Sequence, residues 1–134
     1  MDPKTMQQKA YEFEMHKEQM KQIQMQAMQI QKQAQEIEQV RQSLVELKNA
    51  KSLNDAFIPL GAGVYASGKI TDSKEVLVMA GAGVAFKKST DDAISFLDSR
   101  LEILNKAFSE LDAEGKKISK SAQELANQIQ SASG

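Results

Sequence analysis

The chain has 134 residues, 17 basic and 18 acidic side chains and a net charge of −1, which fits one domain with a modest core. Its balanced charge argues against a nucleic-acid binder, which would carry a one-sided basic patch. The absence of cysteine excludes disulfides and thiolate metal sites, and a single histidine, His16, excludes a His-pair metal site within one chain. Composition points to a helix-rich cytoplasmic protein: no apolar run reaches the ~20 residues of a membrane span, and the N-terminus lacks the apolar stretch of a signal peptide.

From Lys4 to about Leu53 there is no glycine or proline, and Gln, Lys, Glu, Met and Ala dominate, which predicts one long helix. Phe13, His16, Met20, Ile23, Ala27, Ile30, Ala34 and Ile37 follow alternating steps of three and four. That is a heptad seam, the pattern of a helix that supercoils around a partner. Near Arg41 the seam shifts phase, with Val40, Leu44 and Leu47 continuing it one step early. Met20 lies on the seam; Met15, Met25 and Met28 fall off it, so packing within the helix pair does not account for them. The glutamines Gln22 to Gln35 read as an uncharged solvated face.

The next segment changes character. FIPL, GVYASGKI, EVLVMA and GVAFK are short runs rich in apolar and β-branched residues, divided by glycines and by the polar TDSK, and they predict four strands in two hairpins. GAGV occurs twice, at Gly61–Val64 and Gly81–Val84, so the second hairpin is expected to echo the first. VLVMA shows no polar alternation, which implies burial on both faces and hence strands supplied by other subunits. GAGVYASGKIT also carries two overlapping phosphate patterns. Gly61, Gly63 and Ala66 fit the dinucleotide fingerprint, and Gly63, Gly68 and Lys69 fit all but the last place of a P-loop. Ile70 stands where a P-loop needs a hydroxyl for Mg²⁺, and ITDSKEVLV continues as a turn and a strand instead of a helix. Both phosphate readings fail, which leaves the glycines as turn and packing residues and no cofactor.

The last segment mirrors the first. Ser89 with Asp92 reads as a helix cap, and Asp91-Asp92 suits a helix N-terminus. Ile94, Leu97, Leu101, Leu104, Phe108, Leu111, Ile118, Ala122, Leu125 and Ile129 then step by three and four, with Gly115 in the one missing place, marking a bend or a close contact. Two heptad helices on either side of a compact linker predict an antiparallel coiled-coil hairpin. With Leu53 placed opposite Thr90, Ile23 falls near Lys120 and Phe13 near Gln130, which leaves the first ten or so residues unpaired. Met6, Tyr11, Phe13 and Met15 would then form an apolar tip. The acidic Glu110, Asp112 and Glu114 belong to a solvated face, since a helix pair offers no dry pocket for acid–base work.

The linker resembles the core of α-class prefoldin subunits. The matching elements are Pro59 to Gly63, Gly68-Lys69-Ile70, Val76 to Val78, Gly81 to Val84, Lys88-Ser89, and Ala93 with Phe96-Leu97, in that order between heptad helices. The resemblance implies an α+β, mainly α fold: a single domain over 1–134, with helices over 4–53 and 90–131 and, over 57–88, two small β-hairpins that join an oligomeric double β-barrel. It implies a hexamer of two alpha and four beta prefoldin subunits, and a non-enzymatic, ATP-independent holdase. Such a complex grips unfolded client proteins at coiled-coil tips and passes them to a group II chaperonin. The platform residues it implies are Phe57, Ile58, Leu60, Val64, Tyr65, Ile70, Val76, Leu77, Val78, Met79, Val84 and Phe86. The client-binding tips are Met6, Tyr11, Phe13, Met15, Met20, Leu125 and Ile129. A coiled-coil scaffold or filament is the alternative.

Overall fold

A computed structural model describes residues 2–50 and 55–133. The chain runs helix, four strands, helix: α1 (Pro3–Lys48), β1 (Asp55–Gly61), β2 (Val64–Lys69), β3 (Glu75–Gly81), β4 (Val84–Ser89) and α2 (Thr90–Ser133). This is the expected arrangement of two long helices with two antiparallel strand pairs between them. Leu53, the expected end of the first helix, lies outside the described residues; α1 closes at Lys48, in a turn where the Asn49 amide donates to the Val45 carbonyl. Asp2 caps its other end by accepting the Lys4 amide at 2.8 Å, with Pro3 in the first helical position, where its missing N–H costs nothing.

The chain divides into two compact units, one of Met1–Gln35 with Glu102–Gly134 and one of Glu36–Leu101. In the first, Met6, Lys9, Phe13, His16, Met20, Ile23, Ala27, Ile30 and Ala34 of α1 are half-buried while the residues between them are exposed. On α2 the half-buried residues are Leu104, Ala107, Phe108, Leu111, Ile118, Ala122, Leu125, Ala126 and Ile129, with Gly115 fully buried among them. Both seams therefore lie where the heptads put them, and the core is this narrow apolar strip.

The alignment of the helices differs from the expected one. A Cβ built at Gly115 would lie 3.5 Å from Ile23 Cγ2 and 3.8 Å from Met20 Cε, so Ile23 packs at Gly115, five residues before the expected Lys120. Lys9 Nζ donates to Gln128 Oε1 at 2.6 Å, so the start of α1 has a partner and is not left over. The expected alignment took Leu53 as the end of α1, whereas α1 closes at Lys48, whose ammonium lies 2.6 Å from Asp91.

In the second unit the phase shift does not begin at Val40, although Leu44 and Leu47 are half-buried as expected and Lys48, the next unshifted place, is exposed. Val40 is 52% exposed, and Arg41 occupies the next heptad place after Ile37, followed by half-buried Leu44, Val45 and Leu47. The Arg41 guanidinium pairs with the Asp98 carboxylate of α2 and lies 3.8 Å from Glu38. The hydrogen bond that Arg41 donates to Asp98, and the negative charge of that carboxylate, hold Arg41 protonated above the ordinary guanidinium range.

The β1–β2 ladder pairs Asp55 with Lys69 through Pro59 with Tyr65, and the β3–β4 ladder pairs Glu75 with Ser89 through Met79 with Ala85. Every partner in the second ladder sits twenty places after its counterpart in the first, including a register shift before the glycine that opens each turn. The GAGV repeat is thus a structural repeat. Ala62 and Gly63 form a two-residue turn with φ of 51° and 79°, and Ala82 and Gly83 repeat it at 51° and 74°. Positive φ at both central positions is what a tight hairpin needs to match the strand twist.

The entry to α2 is tied to the hairpins. Thr90, 2% exposed, donates its amide to the Lys74 carbonyl at 2.8 Å and its hydroxyl to the Ser73 carbonyl at 2.7 Å. The Asp92 amide donates to Ser89 Oγ at 3.0 Å, the expected cap. Ala93 is buried behind Thr90, and Phe96 is flanked by Lys88 Nζ at 4.6 Å and the Arg100 guanidinium at 5.1 Å from its ring centre.

Candidate functional site

The phosphate motifs resolve into hairpin parts. Gly61 to Gly63 make the first turn, β2 follows immediately, and no helix begins until Thr90. An anion held by backbone amides at a helix N-terminus is therefore impossible at this loop. Gly68 leaves room for its neighbour: a Cβ there would come 2.6 Å from Ile58 Cδ1 on the adjacent strand, and that side-chain end would have to turn aside. Lys69 reaches Asp55 across the ladder at 4.0 Å, an exposed pair of small worth.

What distinguishes the hairpins is apolar exposure. Phe57, Ile58, Leu60, Val64, Tyr65, Ile70, Leu77, Met79, Val84 and Phe86 are all exposed, Phe57 by 76% and Leu77 by 64%. Of the platform residues read from the sequence, only Val76 and Val78 are half-buried. The unbroken VLVMA run thus alternates within the chain: Val76 and Val78 face inward while Leu77 and Met79 face out. By register, one face of the first ladder carries Phe57, Pro59 and Tyr65, and the matching face of the second carries Leu77, Met79 and Ala85. Isolated two-stranded sheets are marginal in water, and these two leave their outer backbone edges unpaired by any described strand. A surface of this size and character on a small chain marks a protein–protein interface.

The helices present a second surface. Of the residues read as tips, Met6, Phe13, Met20, Leu125 and Ile129 are half-buried in the seam, because the true alignment gives them partners. Tyr11, 66% exposed, and Met15 remain on the outside. Met25 and Met28, identified from sequence as lying off the seam, are exposed as well. At ~100° per residue, Tyr11 and Met25 fall opposite the seam on α1, with Met15 and Met28 on either side of them. Sequence reasoning missed Arg41 as a seam member; counting the heptad from Ile37 by four, through a charged residue, would have found it.

Nothing among the described residues gathers three or more metal-ligating side chains, and no described helix is long and apolar enough to cross a membrane. Open surface depressions lie at Lys87, Lys88, Asp92 and Phe96 around the start of α2 and at Lys4, Gln7, Gln8 and Tyr11 near the start of α1.

Comparison with known proteins agrees with this geometry. The family model described as "Prefoldin subunit" matches residues 16–134. Prefoldin subunit alpha 1 of Thermococcus kodakarensis is 31% identical over 101 residues, covering 75% of this chain and 69% of that one. Among solved structures, a filamentous prefoldin from Methanocaldococcus jannaschii shares the fold with a TM-score of 0.76 at 13% identity, covering 89% of this chain and 98% of that one. The prefoldin beta subunit from Thermococcus strain KS-1 shares it with a TM-score of 0.65 at 20% identity, covering 97% and 93%. Matched over most of its length by the family model and by an archaeal alpha subunit, the chain belongs to the prefoldin family, in its alpha class.

Proposed function

We propose that the chain is the alpha subunit of a hetero-oligomeric, ATP-independent holdase. Its two hairpins join those of beta-class subunits in a common platform, two alpha to four beta, and the helix pairs project from it to hold unfolded polypeptide for transfer to a group II chaperonin. The observation that carries this reading is the set of ten large apolar side chains exposed on the hairpin segment. Fully burying one such side chain contributes roughly 1.5–3 kcal/mol, so a few of them together offset the about 4–15 kcal/mol cost of association. The client surface is Tyr11 and Met15, joined by Met25 and Met28. Flexible thioethers suit unrelated sequences, and several weak patches on one platform hold a client through effective concentration. A chaperone of this kind needs no catalytic group and works in the cytoplasm.

Native mass spectrometry of the chain mixed with a beta-class partner tests the assembly, with a defined two-plus-four complex expected. That complex should suppress aggregation of a denatured client without ATP; no suppression at several-fold excess defeats the holdase reading. A second reading, a scaffold that polymerises, is favoured by the fold shared with a filamentous prefoldin. Long homopolymers of the chain alone, with no mixed complex, would decide for it.

A further inference from the structure

Two apolar heptad seams do not fix their own alignment. Sliding one helix by seven residues brings every knob to an equivalent hole, and Met20 to Ile37 on α1 and Leu97 to Leu111 on α2 repeat apolar residues at each level. Arg41 interrupts this degeneracy. It stands in the heptad place while the apolar Val40 beside it is turned to solvent, and its side chain is only 32% exposed, paired with Asp98. Glu38, one turn back, steadies the guanidinium on the same helix.

We propose that Arg41 and Asp98 set the register of the helix pair, selecting this intrachain alignment over one slipped by a heptad. A slip of seven that lengthens the connection puts the neutral Asn105 where Asp98 stands, among Leu101, Leu104 and Phe108 of the seam. The guanidinium then loses its cross-helix carboxylate and keeps only Glu38 beside it, which is disfavoured for a partly buried charge. A slip in the other direction drives the end of α1 into the β4–α2 junction, where buried Thr90 is bonded to Ser73 and Lys74. The hairpins therefore block one direction and the ion pair the other. Lys48–Asp91 agrees with the same alignment, but both side chains are at least half exposed, so it discriminates weakly.

The chain has no cysteine, so introduced pairs report alignment directly in the full-length protein. Leu44→Cys with Ile94→Cys reads the observed register, and Leu44→Cys with Leu101→Cys reads the slipped one. With Arg41 present, oxidation should link only the first pair. Arg41→Leu should stay helical and link both pairs, and the charge swap R41D/D98R should restore the single product. If Arg41→Leu loses helix, the double variant R41L/D98L, which fills the site with apolar atoms, decides: two products support the proposal and one overturns it. A folded Arg41→Leu chain that links only Leu44→Cys to Ile94→Cys overturns it as well.

Discussion

Gly115 shows how one residue carries both a cost and a fit. It is buried within an uninterrupted helix, where glycine is about 1 kcal/mol worse than alanine. A methyl group there would meet Ile23 and Met20 at ordinary van der Waals distance. Gly115→Ala should therefore raise stability by about 1 kcal/mol, through helix propensity and a less flexible unfolded chain, measured as a higher urea midpoint. A lower midpoint would mean that Met20 and Ile23 cannot accept even a methyl. Ile23 and Met20 do lie against this glycine, at distances that leave room for a methyl; the sequence did not show this because a heptad gap does not say what fills it from the other helix.

At the level of elements, the junction between β4 and α2 carries the greatest responsibility. Thr90 is the one buried polar residue among those described, and both of its donors are used. Thr90→Val preserves its shape but removes the hydroxyl, leaving the Ser73 carbonyl without that donor. The expected loss is about 1–2 kcal/mol, visible as a lower melting temperature of the isolated chain. The neighbouring cap at Ser89 was legible in the sequence because capping is local, a side chain bonding an amide three residues on. The bonds from Thr90 to Ser73 and Lys74 reach back some sixteen residues across a whole hairpin, and no local pattern announces them.

For the molecule as a whole, the exposed outer side of α1 is the feature to test. Replacing Tyr11 with Ser and Met15, Met25 and Met28 with Gln removes apolar surface without touching the seam. Helix content and assembly with beta-class partners should be unchanged while holding of a denatured client falls several-fold. Full holding by that variant would move the client surface elsewhere, and loss of assembly would show that these side chains pack against a neighbouring subunit.

The element types, the hairpin repeat and both helical seams were legible from residue order, because helix period, turn chemistry and heptad spacing are short-range properties of the chain. The alignment of the helices was not. It depends on where α1 closes, at Lys48, and on which residue fills the place after Ile37. Val40 was the apolar choice, yet Arg41 takes the seam at the heptad place after Ile37 and pairs with Asp98 on the opposite helix. That partner is distant in sequence and close only in space, and the same is true of Ile23 and Met20 against Gly115.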